Sequence, residues 1–242
     1  MTRDKILVFT STLLFSIALV GVPHFIARSI GRSIEPRLPQ MLDMAAERGE
    51  VRQTQFLIFL GADVNGKVFP QFVCGNATEE DIAMDYHFPL QSAAHAGQGE
   101  AVDLLLEKGA NINATDGFGR TALWKAALGG HPAVARLLLD RGADPRISIK
   151  QFPTSTSPLE EAAQEGEIEI AGMFLEHGAG QNGELDSALW EAVWYDKPQM
   201  VKFLISKGAN VIQIRDGMTL LERAYEHGDT ELLEYLKQAN AR

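Results

Sequence analysis

The chain has 242 residues, of which 45% are hydrophobic, so it is long enough to bury a sizeable core. Its formal net charge is −10 at pH 7, and this acidic balance disfavours nucleic acid as a partner because phosphate binding needs a basic surface. A single cysteine, Cys74, excludes an intramolecular disulfide and a cysteine metal cluster, and it leaves the redox compartment open.

The first 37 residues differ in kind from the rest of the chain. Residues 6–22, ILVFTSTLLFSIALVGV, carry no charge, and the uncharged run continues to residue 27 before Arg28 appears. A membrane-spanning helix needs about 17 to 25 such residues, whereas the core of a signal peptide has about 7 to 15. The segment therefore predicts an uncleaved N-terminal transmembrane helix, within an anchor and linker of residues 1–37, and a single-pass membrane localisation.

Two other interpretations of this segment remain open. A cleaved signal would leave an exported or periplasmic protein, and a buried N-terminal helix would need a groove that covers an apolar surface on all sides. Basic residues flank the segment nearly equally, so the positive-inside rule does not decide which side of the membrane the following domain faces. They are Arg3 and Lys5 before it, and Arg28, Arg32 and Arg37 after it.

From residue 38 onward the chain repeats itself. Glycines recur in pairs twelve residues apart, namely Gly49 and Gly61, Gly97 and Gly109, Gly130 and Gly142, and Gly166 and Gly178. A fifth pair has Asp196 ahead of Gly208, and a sixth copy starts at Gly228. Small residues precede each corner and an apolar triplet fills each spacer, which indicates a helix, a glycine corner, a second helix and a glycine stop. One such pair of helices cannot bury its own apolar faces, so the copies must stack around a continuous core.

In this form the sequence resembles the ankyrin repeat family. The resemblance is carried by GRTALWKAALGGHPAVARLLLDRGADP (119–145), FPLQSAAHAGQGEAVDLLLEKGANIN (88–113) and AAERGEVRQTQFLIFLGADVN (45–65). It implies an all-α fold, a solenoid of stacked helix-turn-helix units with hairpin-like loops, over residues 38–242. Six repeats are expected, at about residues 40–65, 86–114, 117–146, 155–180, 185–212 and 217–240.

One feature of the family is missing from every copy. The histidine of the family's T-P-L-H motif is replaced by Asp43, Gln91, Trp124, Glu160, Trp190 and Glu222. The replacement predicts the loss of the hydrogen bond that this side chain usually makes to a turn. It also suggests that these positions are released for another use or simply tolerate variety.

An inserted loop, residues 66–88, separates the first two repeats, and it makes their spacing the longest in the chain. The loop mixes aromatic side chains, including Phe69 and Phe72, with an acidic cluster. Insertions in solenoids map to loops on one face, often the binding face. Two hypotheses stay open: a docking finger for a partner, or a lid folded on the first repeat.

The resemblance implies that a partner binds the exposed face of the first helices and the loop tips between repeats. The positions singled out on first helices are His95, Leu128, Glu165, Trp194 and Tyr195, and those on a loop tip are Phe118 and Arg120. Phe69 and Phe72 are added from the inserted loop. Trp124 and Trp190 complete the set because aromatic side chains often dominate binding energy. The alternative is that the indole rings fill gaps between adjacent first helices.

No constellation of catalytic, cofactor-binding or metal-ligating residues stands out in the sequence. The six histidines lack a second ligand at helical spacing, and the glycines mark corners and stops rather than a phosphate-binding loop. We therefore expect a non-enzymatic, membrane-tethered module that binds a protein partner and uses no cofactor. Residues 38–242 carry 17 basic and 30 acidic side chains, which suits a partner with a basic patch.

Two alternative functions remain. An inhibitor or immunity-type protein would block an enzyme, with the inserted loop as its plug. A structural scaffold would hold a membrane complex together without regulating it. Co-purification of an enzyme whose activity the repeats suppress would favour the first alternative.

If residues 6–27 span the bilayer uncleaved, the protein should stay in the membrane pellet after alkaline carbonate washing, because only an integral segment resists that treatment. It should also keep its original N-terminus. Immunoblotting of pellet and supernatant, with mass spectrometry of the N-terminal peptide, measures both. Mature protein that begins near residue 28 in a soluble fraction would contradict the prediction.

Overall fold

The structure is a computed structural model that describes residues 37–69, 86–151, 154–215 and 217–240. Its helices form six consecutive pairs: α1 Leu38–Glu47 with α2 Val51–Phe59, α3 Pro89–His95 with α4 Gly99–Glu107, α5 Ala122–Leu128 with α6 Pro132–Asp140, α7 Pro158–Glu165 with α8 Ile168–Glu176, α9 Glu184–Trp194 with α10 Pro198–Ser206, and α11 Leu220–His227 with α12 Thr230–Asn240. The predicted all-α arrangement of paired helices is confirmed.

Two short antiparallel hairpins join neighbouring helix pairs. Strand β1 Ile149–Gln151 pairs with β2 Thr154–Thr156 ahead of α7, and β3 Ile214–Arg215 pairs with β4 Met218–Thr219 ahead of α11. Both hairpins end where the next first helix begins, so they fix the entry to that helix. Ser157 and Thr219 then cap α7 and α11 by accepting a backbone N–H three residues later.

The helices stack in two rows. Each first helix packs against the first helix of the next pair, and the second helices form a parallel row of contacts behind them. First helices approach closely because alanines occupy their contact positions: Ala45, Ala46, Ala93, Ala94, Ala126, Ala127, Ala162, Ala163, Ala192 and Ala224 are all buried. Larger apolar side chains, such as Leu105, Leu138 and Phe174, fill the space between the rows. One core therefore runs through all six pairs.

The corners between paired helices take the left-handed backbone conformation that the glycine spacing predicts. Gly49, Gly97, Gly130, Gly166 and Gly228 have φ between 65° and 83°. Asp196 adopts the same conformation, with a φ of 53°. Its N–H donates to the Val193 carbonyl at 3.2 Å, and the next N–H, of Lys197, donates to the Ala192 carbonyl at 2.8 Å. Aspartate is one of the few residues besides glycine that visits this region, so the fifth corner keeps its geometry.

The predicted loss of hydrogen bonds at the replaced histidine positions is wrong for three of them. The Gln91 amide donates to the carbonyls of Ala114 and Arg120, at 3.1 and 2.7 Å. Glu160 and Glu222 accept the N–H of the residue that caps their helix, at 3.1 and 2.7 Å. A polar side chain of similar reach can therefore replace the histidine in holding a turn.

The inserted loop begins and ends in an antiparallel bridge. Val68 and His87 exchange both backbone hydrogen bonds, at 2.9 and 3.0 Å, and His87 Nε2 lies 3.0 Å from the Asp43 carboxylate on α1. Beside this bridge, the rings of Phe69 and Tyr86 lie 6.1 Å apart. Residues 70–85, which include Phe72, lie outside the described residues, so the finger and the lid both remain hypotheses.

The predicted transmembrane helix at residues 6–27 also lies outside the residues that the structure describes. In the described part of the chain, from residue 37 onward, no helix combines the length and apolarity that a bilayer-spanning segment needs. The membrane localisation stays a prediction.

Replacing Asp196 by glycine should stabilise the protein, because glycine has no Cβ to crowd the left-handed corner. We expect Asp196→Gly to raise the free energy of unfolding by about 0.5 kcal/mol, measured by urea denaturation followed by circular dichroism. The opposite change, Gly130→Ala, should lower it by about 1 kcal/mol or more. Its new Cβ would lie 2.8 Å from the Glu167 carboxylate at a φ of 65°. An Asp196→Gly chain less stable than the wild type would contradict this account.

Candidate functional site

One buried carboxylate organises the loop ahead of α5. Asp116 accepts hydrogen bonds from the backbone N–H groups of Phe118 and Arg120, at 3.0 and 2.8 Å, and from Arg120 Nε at 2.7 Å. Gln91 on α3 holds the same loop through the Arg120 carbonyl. The Arg120 guanidinium lies 4.6 Å from the centroid of the Phe118 ring and 5.6 Å from that of Trp124. The structure thus brings three predicted binding residues, Phe118, Arg120 and Trp124, into one group.

The three tryptophans differ sharply in exposure. Trp124 and Trp190 expose 7% and 5% of their surface, whereas Trp194 exposes 42%. Trp190 lies in the middle of α9, where the helices on both sides cover it, while Trp194 ends the helix. Burial favours the gap-filling alternative for Trp124 and Trp190. Trp194 is the tryptophan with surface to offer a partner.

Trp194 belongs to a group at the C-terminal end of α9 and on α11, which we call the aromatic patch: Trp194, Tyr195 and His227, which are exposed, and Arg223, which is half-buried. Tyr195 exposes 44% of its surface. The Arg223 guanidinium lies 3.7 Å from the centroid of the Trp194 ring, and His227 Nε2 lies 3.1 Å from the Trp194 carbonyl oxygen. This stacking restricts the indole ring before any partner arrives, which reduces the entropy lost on binding.

The remaining predicted positions lie along the row of first helices and at the inserted loop. His95 and Glu165 are exposed, and Leu128 is half-buried, each at the end of its helix. Because first helices pack side by side, these ends follow one another toward the aromatic patch. Phe69 is exposed at the base of the inserted loop. Contact of these residues with a partner stays a prediction.

Two adjacent glutamates on α7 form a buried acidic pair that lies outside the predicted site residues. Glu160 and Glu161 are buried, and Glu161 exposes only 4% of its surface. Glu160 accepts the Ser157 N–H, but within the described residues no group donates a hydrogen bond to the Glu161 carboxylate. Also within that part of the chain, no cluster of histidine, cysteine and acidic side chains could hold a metal ion.

Burial raises the pKa of both glutamates to about 7. The Ser157 N–H opposes this rise at Glu160, while the charges of Glu191 and Glu184 on α9 add to it. At Glu161 the rise is increased by Glu165 and Glu191 and opposed by Arg120 and Lys125. Because α7 packs directly on α9, acidic side chains of the two helices share one region, which we call the acidic strip: Glu160, Glu161, Glu165, Glu184 and Glu191.

Neutralising Glu161 should stabilise the protein at pH 8 but not at pH 4.5. The folded-state pKa of about 7 lies above the ordinary value of 4.5, so the folded protein holds a proton that the unfolded chain releases between those values. Stability therefore falls as the pH rises through this window. We expect Glu161→Gln to raise the free energy of unfolding by about 2 kcal/mol at pH 8, measured by urea denaturation.

The matched control for this prediction is Glu176→Gln, which removes the same charge from an exposed position on α8. It should leave stability nearly unchanged at both pH values. Equal stability of Glu161→Gln and the wild type at pH 8 would show that burial does not disfavour this carboxylate.

Comparison with known proteins matches this geometry to a family of repeat proteins. A family model described as ankyrin repeats (3 copies) matches residues 42–149 and 159–242. Rabankyrin-5 of Homo sapiens is 29% identical over 223 residues, which cover 85% of this chain and 18% of that protein. The ankyrin repeat domain-containing protein SAT10 of Stachybotrys chartarum is 34% identical over 125 residues, or 51% of this chain and 6% of the relative.

A solved structure shows the same arrangement of helices. The crystal structure of the human ASB11 ankyrin repeat domain gives a TM-score of 0.66 at 25% identity, with 83% of this chain and 84% of that chain covered. The chain spans less than a fifth of the length of these curated relatives. Because the family model matches well over half of its residues, this protein belongs to the ankyrin repeat family.

Proposed function

We propose that this protein binds another protein through the aromatic patch, without chemistry of its own, while residues 6–27 tether it to a membrane. Ankyrin repeats are interaction modules, which supports the general class. One observation carries the specific proposal. Trp194 and Tyr195, adjacent in sequence, each expose more than 40% of their surface, while the other two tryptophans are buried.

The composition of the aromatic patch is that of an interface centre. Tryptophan, tyrosine and arginine are the residue types that most often contribute strongly to binding, commonly about 2 kcal/mol or more each when truncated. Their rings can bury a large apolar area, while the indole N–H and the phenol hydroxyl remain available for hydrogen bonds. Tyr225, 75% exposed on α11, adds a further aromatic side chain on the helix pair that follows Trp194 and Tyr195. Exposed rings that no partner covers favour non-specific association, so their presence on the surface is itself an argument for a partner.

The membrane tether is supported by the charge-free length of residues 6–27. The charge of the repeats bears instead on the kind of partner. Residues 38–242 carry an excess of acidic side chains, so an anionic lipid surface repels them. We therefore place the partner at the same membrane, as a protein rather than a lipid surface. The first step is crosslinking in the native membrane, with a photoreactive residue at position 195, followed by mass spectrometry.

Truncating the aromatic patch should abolish binding without unfolding the protein. For Trp194→Ala combined with Tyr195→Ala, we expect the Kd for the purified crosslinked partner to rise at least about 30-fold. The melting temperature should change by less than about 2 °C, because the removed rings are already half exposed. Phe59→Ala on α2 is the matched control, since it removes an exposed ring from a second helix and should leave binding intact.

A different pair of results would overturn the proposal. If the melting temperature falls and binding per folded molecule survives, the rings serve packing, and the inserted loop becomes the better candidate. The purified complex also separates the alternative functions. Suppression of an enzymatic activity of the partner would favour the inhibitor, and an unchanged activity would favour a tethering role.

A further inference from the structure

We infer that the acidic strip receives a cationic side chain, lysine or arginine, from the bound protein. The inference rests on the proposed function and adds the chemistry of the residue that helices α7 and α9 recognise. It starts from Glu161, whose carboxylate lacks a hydrogen-bond donor among the described residues although only 4% of the residue is exposed. A buried carboxylate without a donor is costly, because it has lost most of its hydration and no hydrogen bond replaces it.

The Glu161 carboxylate can still be reached from outside. Some polar side-chain atoms of the protein are fully buried and have no hydrogen-bond partner. The two carboxylate oxygens of Glu161 are not among them, so they keep some contact with solvent. Glu165, one helical turn later on the same face of α7, is exposed and marks the way to the surface. A long, flexible side chain can therefore enter from solvent and place its charged end at Glu161.

Each base that faces the acidic strip already contacts an acidic side chain, and for Arg215 that side chain belongs to the strip itself. Arg120 donates to Asp116 at 2.7 Å, and Lys125 Nζ lies 4.0 Å from the same carboxylate. Arg215 donates to Glu191 at 3.0 Å. These three bases face five glutamates of the strip and Asp116, so acidic groups are in excess. Charge complementarity therefore favours a cation supplied by the partner.

The acidic strip continues into the aromatic patch along α9. Glu191 lies three residues before Trp194 and four before Tyr195, a spacing that places all three on neighbouring positions of one helix face. A partner segment that packs an apolar side chain on the aromatic patch can thus direct a basic side chain to the strip. The two features describe one interface rather than two.

Proton competition follows from the same geometry. Because the pKa of Glu161 is raised to about 7 by burial, the carboxyl is largely protonated at pH 5.5, and a cation must displace that proton. The groups that face it are Glu165 on its own helix, Glu191 on α9, and Arg120 and Lys125 from the α5 repeat. Arg120 and Lys125 attract the charged form of Glu161. Both also contact Asp116, so an entering cation adds to their attraction. Binding should strengthen with pH and release protons.

The test uses the full chain in uncharged detergent micelles and an amidated tri-arginine peptide as the probe. A tri-citrulline peptide is the matched control, because citrulline has the shape of arginine without its charge. Isothermal titration calorimetry should show tri-arginine binding that strengthens at least tenfold from pH 5.5 to 8, with proton release. Tri-citrulline should not bind. Glu161→Gln should weaken binding at least tenfold at pH 8, and Glu176→Gln less than twofold.

The inference is overturned if tri-arginine fails to bind at millimolar concentration, if both peptides bind equally, or if both variants weaken binding equally. A loss caused by unfolding is separable, because Glu161→Gln is expected to melt at a higher temperature. The Trp194→Ala, Tyr195→Ala chain should retain tri-arginine binding. If that chain keeps peptide binding but loses partner binding, both the aromatic patch and the cation site are supported. If Glu161→Gln loses peptide binding but keeps its affinity for the partner, only the cation site is refuted.

Discussion

The architecture depends on the close contact between successive first helices, which alanines make possible. In the first four helix pairs, both residues at the third and fourth positions before the corner glycine are alanine, and each alanine pair is buried where two first helices meet. In the fifth repeat Val193 takes the second place, and in the sixth Tyr225 takes it and lies exposed. Toward the C-terminus, larger residues therefore replace the second alanine, in the two helix pairs that form the aromatic patch. The row of first helices supplies both the packing contacts and the exposed surface, so larger side chains at these positions change both.

Local requirements of the backbone are the part of the fold that the sequence predicts well. A left-handed corner needs glycine or a close substitute, so the twelve-residue spacing located every corner, including the one at Asp196. Burial of aromatic side chains was harder to predict. Trp190 and Trp194 lie on the same face of α9, and only the neighbouring helices decide that the first is buried and the second exposed. The bonds of Gln91 were missed for a similar reason, because its acceptors belong to the following loop.

The position of Glu160 and Glu161 on the predicted first helix indicates from the sequence that they are buried. Two glutamates immediately precede Ala162 and Ala163, at positions where a first helix turns its side chains toward its neighbours. Glu160 has a structural task, since it accepts the N–H of the residue that caps α7. Glu161 has no comparable task among the described residues. A group that costs stability and supports no structure is more readily explained by function than by folding.

The base of the inserted loop lies toward the other end of the row of first helices. The Gly117 N–H donates to the Tyr86 carbonyl at 3.1 Å, so the end of the inserted loop is bonded to the loop that presents Phe118 and Arg120. His87 ties the same end to Asp43 on α1. The base of the inserted loop therefore lies beside the loop that precedes α5. The aromatic patch lies far along the same row, at the C-terminal end of α9, so a partner that contacts both must also cross α7, α5 and α3, each of which packs directly on the next.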